Sequence, residues 1–202
     1  MEAFQEYFVD FELIRASLDP EANRDQVFKA GEGAGRSGSF FFFSHDRKFI
    51  IKTMTQVELD LVLRMLPRLV KHYKKHPSSL ISKMFGVFTV QTDSQSPVHL
   101  MLMENTVQLK QTKCLQYLFD LKGSLVDRKT KGTTTPSTTL KDENFRLIQQ
   151  ANKTELMDLD RHMKYKLLSV IKHDVDFLAS EGIMDYSILL AVELRDTFGN
   201  QR

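Results

Sequence analysis

A glycine-rich segment followed by two short apolar runs constrains the fold of this chain more than any other feature. Four glycines lie within eight residues: Gly31, Gly33, Gly35 and Gly38. The aromatic run 40–43 follows them, and the charged tetrapeptide 45–48 separates it from a second apolar run that carries Lys52 near its end. Two apolar runs joined by so short a polar turn predict a β-hairpin, with strands at residues 39–44 and 48–54.

The glycine-rich segment admits two functional interpretations. Glycine lets backbone amides approach an anion closely and adopts positive φ at little cost. A glycine-rich hairpin followed by a lysine on a strand is the arrangement with which kinases cover and pair nucleotide phosphates. The same residues also fit a flexible loop before an ordinary hairpin with an exposed lysine. The segment alone leaves both interpretations open.

The composition is that of a globular protein without disulfide cross-links. At 202 residues and 42% hydrophobic content, the chain suits one domain or two small lobes with a real core. The net charge of +2 indicates no general affinity for nucleic acid, and the single Cys114 indicates a reducing compartment. Neither a signal peptide nor an apolar stretch of ~20 residues is visible. We therefore expect a cytoplasmic protein whose contact with membranes is peripheral.

The remainder of the first half alternates helical and extended patterns. Residues 3–18 carry apolar residues at helical spacing. Residues 55–75 carry a longer apolar stripe, which Thr55 and Glu58 begin as a capping box. Pro67 is expected to split this stretch into two helices. Two further strands and the polar loop between them follow: 83–92, 98–104 and 92–97. These patterns predict a sheet of at least four strands with helices on one side.

The second half shows fewer regular patterns. Residues 127–139 lack apolar periodicity and are rich in Lys, Thr and Ser, which predicts a mobile segment. A short helix is predicted at 142–150 and a longer one at 156–179, which Gly182 ends. A final apolar strand is predicted at 188–194.

Four sequence blocks resemble, in the same order, the motifs of the phosphatidylinositol phosphate kinases. The blocks are GRSGSFFFF at 35–43, FIIKT at 49–53, FDLKGS at 119–124 and IMDYSILL at 183–190. In that family the first block reads G-K-S-G-S-F-F-Y, the second carries the nucleotide lysine, and the last reads I-M-D-Y-S-L-L. The resemblance covers most of residues 35–194, and it favours a lipid kinase over a simple phosphate-binding loop.

The resemblance implies an α+β fold with two lobes, distantly similar to that of protein kinases. An antiparallel-sheet N-lobe is expected at residues 1–107, and a partial C-lobe with FDLKGS and IMDYS at residues 108–202. The implied reaction is ATP-dependent phosphorylation of a phosphoinositide head group, with phosphatidylinositol 4-phosphate at its 5-hydroxyl as the main expectation. Two alternatives stay open. One is a phosphatidylinositol 3-phosphate 5-kinase, and the other is a non-catalytic nucleotide- or phosphoinositide-binding module.

Two residues are catalytic candidates through the resemblance. Asp185 matches the catalytic-loop aspartate, which would orient the lipid hydroxyl or accept its proton. The alternative for Asp185 is an ordinary turn residue. Lys122, within FDLKGS, would lie near the transferred phosphate, and its alternative role is a structural ion pair with Asp120.

The nucleotide site is implied by the first two blocks and by the connection between the lobes. Four loop residues match the turn that covers the phosphates: Gly35, Ser37, Gly38 and Ser39. Lys52 matches the lysine that pairs the ATP phosphates, and either Glu58 or Asp60 on the following helix would pair with it. Asn105 and Thr106 match the connection that holds adenine. ATP is expected in a cleft between the lobes.

Mg²⁺ is the second expected cofactor, and its ligands are left unknown. In the family an Ile-Ile-Asp strand follows IMDYS and holds the metal, but this sequence contains neither that strand nor the activation loop after it. We therefore expect either a C-terminally incomplete chain or one that lacks the metal aspartate and the loop, and we expect it to bind ATP weakly and to transfer phosphate slowly or not at all. The expected partner is a phosphoinositide in an anionic membrane surface, which the basic run at 68–75 could contact. No nucleic acid is expected as a partner, and a homodimer stays open.

Overall fold

The computed structural model describes residues 10–24, 31–32, 39–108, 114–152, 156 and 159–193. The chain divides into two compact units, Met1–Thr106 and Val107–Arg202, and each has a sheet of its own. Their boundary lies one residue before the lobe boundary expected from the sequence. The identity of the two units as kinase lobes stays a prediction. Within the described ranges, no helix is long and apolar enough to cross a membrane.

The first unit contains a five-stranded antiparallel sheet. Its strands are Gly31–Glu32 (β1), Phe40–Phe43 (β2), Phe49–Met54 (β3), Met84–Thr92 (β4) and Gln95–Glu104 (β5). Their order is β1-β2-β3-β5-β4, so β3 lies at the centre of the sheet. The predicted sheet of at least four strands is therefore confirmed. Within this sheet, β1 was not predicted from the sequence, because its glycine carries no strand signal.

The β2–β3 hairpin is closed by its polar turn and anchored by an aromatic residue. Ser44 N–H donates to the carbonyl oxygen of Phe49 over 3.0 Å, and Phe49 N–H donates to Ser44 Oγ over 3.1 Å. Arg47 adopts a positive φ of 58° within the turn. Phe49 is buried and packs edge-on against Phe85, with 5.3 Å between the ring centroids. The hydrogen bonds between Ser44 and Phe49 close the hairpin in the register in which β3 pairs with β2.

Among the described residues before the hairpin, there are two short helices: Phe11–Ser17 (α1) and Pro20–Asn23 (α2). Each is capped at its N-terminus by an aspartate side chain, Asp10 for α1 and Asp19 for α2. Of the helix predicted at residues 3–18, the part at 3–9 lies outside the described residues. The end of that helix close to residue 18 is confirmed.

The carboxylate of Asp46 attaches α1 to the β2–β3 turn. It accepts hydrogen bonds from Ser17 Oγ and from Ser44 Oγ, each over 2.7 Å. Burial tends to raise the pKa of Asp46, but the hydrogen bonds from Ser44, Ser17 and Lys48 lower it from 3.8 to about 2. The ionised carboxylate is therefore part of what holds α1 in place.

A single helix, Gln56–Lys75 (α3), follows β3. Glu58 N–H donates to Thr55 Oγ1 over 3.2 Å and Thr55 N–H donates to Glu58 Oε2 over 2.8 Å, so the predicted capping box is confirmed. The prediction that Pro67 splits this helix is wrong. Pro67 lies on the exposed face, and the buried apolar stripe continues on both sides of it. Burial of that stripe outweighs the backbone hydrogen bond that the proline removes.

The connection between β4 and β5 is shorter than predicted. Thr92 pairs with Gln95, so only residues 93–94 form the turn, and Pro97 lies within β5. The predicted loop at 92–97 is therefore wrong. Polarity suggested a loop, but the neighbouring parts of β4 and β5 are exposed, where polar side chains suit a strand equally well.

The described part of the second unit contains a three-stranded sheet and two helices. Its elements are Leu115–Leu121 (β6), Thr139–Leu140 (β7), Asp142–Asn152 (α4), Arg161–Ser180 (α5) and Ile188–Glu193 (β8). The central strand β6 runs parallel to β7 and antiparallel to β8. The helix predicted at 142–150 and the strand predicted at 188–194 are confirmed over their described parts. The strands β6 and β7 were not predicted, because their sequences show no clean alternation.

The helix α5 begins later than the predicted start at residue 156. Asp160 is its N-cap, because Met163 N–H donates to Asp160 Oδ1 over 2.7 Å. Leu156 and Leu159 fit the helical spacing but lie before the helix, so the predicted start is wrong. The predicted stop is confirmed, since the helix ends at Ser180 and Gly182 adopts a φ of 71°.

A buried phenylalanine anchors the strand that leads into FDLKGS. Phe119 is fully buried on β6, and its ring meets that of Phe145 on α4 edge-on, at 5.1 Å between centroids. Phe119 also pairs with the buried Leu140 of β7. Burying such a side chain stabilises a fold by roughly 2–3 kcal/mol. The residues after β6 therefore leave the sheet from a firmly held strand end.

Candidate functional site

Lys52 lies on the central strand of the first unit's sheet. In the register of the sheet it faces Phe41 of β2 and Met101 of β5. Its Nζ is 3.1 Å from Glu58 Oε1 and 6.0 Å from the centre of the Phe41 ring. The side chains of Lys52 and Glu58 are 22% and 32% exposed. The ion pair is therefore partly shielded from water and still accessible to a ligand.

Glu58 uses its two carboxylate oxygens for two tasks. Oε1 accepts from Lys52 Nζ, while Oε2 accepts from Thr55 N–H over 2.8 Å and from Thr55 Oγ1 over 3.1 Å. Burial tends to raise the pKa of Glu58, but the hydrogen bonds from Thr55 and Lys52 hold it below its ordinary value of 4.5. The cap of α3 therefore also fixes the partner of the lysine.

Of the two acids proposed as the partner of Lys52, the structure brings Glu58 to the lysine. Asp60 is exposed, and its Oδ1 accepts from Gln56 Nε2 over 2.8 Å. Residues two apart on a helix point in directions about 200° apart. A helix that presents Glu58 to the sheet must therefore turn Asp60 away from it.

The predicted loop and connection residues are only partly described. Three of them lie outside the described residues: Gly35, Ser37 and Gly38. Ser39 is buried just before β2. Asn105 is also buried, and its N–H donates to the carbonyl oxygen of Lys48 over 2.9 Å, while its Nδ2 donates to that of Arg47 over 2.7 Å. Asn105 thus ties the chain after β5 to the β2–β3 turn. Its contact with adenine, like that of the exposed Thr106, stays a prediction.

In the second unit, the structure brings Lys122 and Asp185 together. Lys122 follows the last residue of β6, Asp185 precedes β8, and the two strands pair through Leu121 and Ile188. Lys122 Nζ lies 3.5 Å from Asp185 Oδ1. The pairing of β6 with β8 therefore places FDLKGS beside IMDYS. Lys52 belongs to the first unit, so the cleft expected between it and Asp185 stays a prediction.

The backbone and the side chain of Asp185 fit different interpretations. Its φ of 61° lies in the left-handed region, where aspartate is enriched among non-glycine residues. This conformation agrees with the turn interpretation. The carboxylate is 91% exposed and lies beside a lysine, which agrees with the catalytic interpretation. The catalytic role of Asp185 therefore stays a prediction.

The structural alternative for Lys122, an ion pair with Asp120, is wrong. Arg128 Nη2 instead donates to Asp120 Oδ2 over 3.0 Å and also donates to the carbonyl oxygen of Asp120. Lys122 lies beyond the end of β6, where the chain turns, and its ammonium group meets Asp185. The two charged residues of the FDLKGS motif therefore have different partners.

Two residues at this site were not predicted from the sequence: the largely shielded Arg128 and the buried Asp142. Arg128 Nε donates to Asp142 Oδ2 over 2.8 Å, and the two side chains are 11% and 9% exposed. The N–H groups of Lys122 and Gly123 donate to Asp142 Oδ1 over 3.0 and 2.8 Å. Burial tends to raise the pKa of Asp142, but the hydrogen bonds from Arg128 and the two N–H groups lower it.

The sequence offered only a weak signal for this pair. Arg128 lies in the segment that lacks apolar periodicity, and Asp142 is the first residue of α4. An arginine in such a segment and an acid in a first helical turn are usually solvated. Neither position reveals that the two side chains meet and are shielded from water.

The chain also matches a family model and several curated proteins. The model of the phosphatidylinositol-4-phosphate 5-kinases matches residues 22–202. The chain is 38% identical, over 175 residues, to a probable phosphatidylinositol phosphate kinase of Dictyostelium discoideum, covering 82% of this chain and 23% of that protein. It is 36% identical, over 165 residues, to phosphatidylinositol 4-phosphate 5-kinase 1 of Arabidopsis thaliana (80% and 21%). It is 34% identical, over 164 residues, to phosphatidylinositol 4-phosphate 5-kinase its3 of Schizosaccharomyces pombe (80% and 21%). The chain thus spans 21–23% of the length of these relatives.

Proposed function

Because the chain belongs to the phosphatidylinositol-4-phosphate 5-kinase family, we propose that the intact protein transfers the γ-phosphate of ATP to the 5-hydroxyl of phosphatidylinositol 4-phosphate. The observation that carries this proposal is the 3.1 Å ion pair between Lys52 on β3 and Glu58 on α3. Protein kinases require a strand lysine paired with an acid on the next helix before the lysine can hold the phosphates of ATP. Two relatives whose names specify phosphatidylinositol 4-phosphate 5-kinases support the choice of lipid.

On the nucleotide side, Lys52 supplies a fixed positive charge to the phosphates of ATP. A charge that is already in place stabilises the transition state without the cost of reorganising water. Glu58 holds Lys52 Nζ, and the cap at Thr55 holds Glu58. The glycine-rich loop covers the phosphates through four residues: Gly35, Ser37, Gly38 and Ser39. Asn105 and Thr106 contribute to the site for adenine.

On the lipid side, Asp185 orients the inositol hydroxyl and accepts its proton. The oxygen of that hydroxyl forms a bond to the γ-phosphorus, the bond from that phosphorus to the β–γ bridging oxygen breaks, and ADP leaves. Lys122, whose Nζ is 3.5 Å from Asp185, offers positive charge to the transferred phosphate. The two side chains thus divide proton acceptance and charge stabilisation between them.

Mg²⁺ belongs to this proposal as a cofactor without assigned ligands. When bound, the metal neutralises charge on the phosphates of ATP. Among the residues that the structure describes, no group of three or more His, Cys, Asp and Glu side chains is arranged to hold a metal ion.

The lipid substrate requires the protein to work at a membrane surface. The second half of α3 carries exposed basic residues: Arg68, Lys71, Lys74 and Lys75. Basic side chains near an anionic surface contribute about 1 kcal/mol each to membrane attachment. The proposal includes peripheral attachment of the protein to a cytosolic membrane face. It leaves open whether the protein forms a homodimer.

The proposal is tested by a lipid kinase assay on the intact protein with labelled ATP and Mg²⁺. Separate vesicles contain phosphatidylinositol 4-phosphate or phosphatidylinositol 3-phosphate. We expect the label at the 5-position of the 4-phosphate lipid, and a loss of at least about 10²-fold in turnover with Lys52→Ala. Lys131→Ala, which removes an exposed lysine, serves as the control and keeps wild-type turnover. Label on the 3-phosphate lipid alone, or binding of ATP without turnover, would support the two alternative functions instead.

A further inference from the structure

The turn after β6, at Lys122 and Gly123, rests on a largely shielded ion pair, which we name the Arg128–Asp142 clamp. Arg128 joins this turn to β6 through both the carbonyl oxygen and the carboxylate of Asp120. Glu143 N–H donates to the carbonyl oxygen of Arg128 over 2.9 Å, which joins the same segment to α4. The clamp therefore connects the strand end, the segment at residue 128 and the first turn of α4.

Asp142 determines the shape of the turn that carries Lys122. Its Oδ1 accepts from the consecutive N–H groups of Lys122 and Gly123, and Gly123 adopts a φ of 73°. Consecutive N–H groups that converge on one anion form a concave nest around it. The path of the backbone at Lys122, and with it the direction of the side chain that reaches Asp185, depends on this carboxylate.

Arg128 makes a charged carboxylate tolerable at this position. A buried carboxylate without a partner is strongly destabilising, whereas the planar guanidinium group of arginine satisfies two acceptors at fixed angles. The pairing of Arg128 with both Asp120 and Asp142 therefore locks the orientation of the Asp142 side chain. A lysine at position 128 would supply the charge without this geometry.

We propose that Asp142 is a positioning residue that acts on the reaction through Lys122, with Arg128 holding Asp142 in place. The inference rests on the proposed function, because it assigns Lys122 a task in phosphoryl transfer. Asp142 is buried, and its carboxylate oxygens accept hydrogen bonds from Arg128, Lys122 and Gly123. Asp142 therefore affects phosphoryl transfer by fixing the turn that carries Lys122. A displacement of about 1 Å at a reacting group can reduce a rate about 10²-fold.

The first test is a double-mutant cycle on the intact protein with vesicles that contain phosphatidylinositol 4-phosphate. Asp142→Asn keeps an oxygen for the two N–H groups and removes the charge that Arg128 binds. We expect a fall in kcat of roughly 10²-fold while KM for ATP stays within about twofold. In a Lys122→Ala background, Asp142→Asn should lower kcat by less than about twofold relative to Lys122→Ala alone. Glu143→Gln is the matched control, because Glu143 is the next residue of α4 and pairs with Lys129.

The second test measures hydrogen exchange at the amides of Lys122 and Gly123. Asp142→Asn should speed exchange at both amides, whereas Glu143→Gln should not. If Asp142→Asn lowers kcat equally in the wild-type and Lys122→Ala backgrounds, the inference is overturned. It is also overturned if Glu143→Gln lowers kcat as much as Asp142→Asn does. A wild-type protein without lipid kinase activity would overturn the proposed function, and with it the catalytic role of the turn. If the wild type is an active lipid kinase but the kcat losses of Asp142→Asn and Lys122→Ala are additive, only the positioning role is overturned.

Discussion

At the scale of single residues, Glu58 connects the start of a helix to the candidate phosphate site. The sequence predicted the capping box from Thr55 and Glu58, and it named Glu58 as one of two candidates to pair with Lys52. It did not predict that one carboxylate serves both purposes, because that depends on the distance between β3 and α3. The pair of Arg128 and Asp142 escaped prediction for the same reason. Burial and contact of charged side chains follow from packing and leave no pattern in the sequence.

The two tasks of Glu58 can be separated by a single substitution. Glu58→Gln keeps a side-chain acceptor at the third position of the helix, which suits a capping box, and it removes the charge opposite Lys52. We expect turnover of the intact protein to fall by roughly 10²-fold, with a loss of stability of at most about 1 kcal/mol. The measurements are kinase turnover and the midpoint of thermal unfolding.

Asp60→Asn is the control for this prediction, since Asp60 lies in the same helical turn and contacts Gln56. It should leave both turnover and the unfolding midpoint unchanged. Wild-type turnover with Glu58→Gln would show that Lys52 does not need its partner and would weaken the kinase assignment.

At the scale of elements, strong periodic patterns predicted structure well and weak ones did not. The apolar stripe of α3 is long enough that its burial sustains one helix through Pro67, although the proline rule predicted a break. The strand β6 was missed because its residues do not alternate, and its pairing with β7 and β8 defines it instead. The loop predicted at 92–97 failed because polarity alone does not distinguish a loop from an exposed strand.

The attachment of α1 to the β2–β3 turn should depend on pH through Asp46. The pKa of Asp46 is lowered from 3.8 to about 2, so its stabilising contribution is complete above pH 3.8 and is lost as the pH falls towards 2. A difference of this size corresponds to roughly 2 kcal/mol. We expect Asp46→Asn to lower the free energy of unfolding by about this amount at pH 6 and by much less close to pH 2.

Urea unfolding of the intact protein at a series of pH values measures this difference. Asp93→Asn, at the exposed turn between β4 and β5, is the control and should show no such dependence. A difference between wild type and Asp46→Asn that stays constant down to pH 2 would contradict the assignment of a lowered pKa.

At the scale of the whole molecule, both candidate ion pairs form within a unit. Lys52 meets Glu58 in the first unit, and Lys122 meets Asp185 in the second. Sequence motifs identified three of these four residues by their resemblance to a family, and the observed ion pair with Lys52 selected Glu58 over Asp60 as the fourth. The family assignment could be made from the sequence because its motifs are specific. The pairing of Arg128 with Asp142, which positions the turn at Lys122, could not be predicted from the sequence, because the fold brings these two ordinary charged residues together.

The most direct test of the kinase assignment compares two aspartates of the second unit that both have a positive φ. Asp185 and Asp127 are both exposed and both have positive φ, at 61° and 55°. Asparagine tolerates this conformation, so Asp185→Asn and Asp127→Asn should both fold. With labelled ATP, Mg²⁺ and vesicles containing phosphatidylinositol 4-phosphate, we expect Asp185→Asn to lose about 10²–10⁴-fold in kcat and Asp127→Asn to match the wild type. Wild-type turnover by Asp185→Asn, or equal losses in both variants, would contradict the proposed catalytic role.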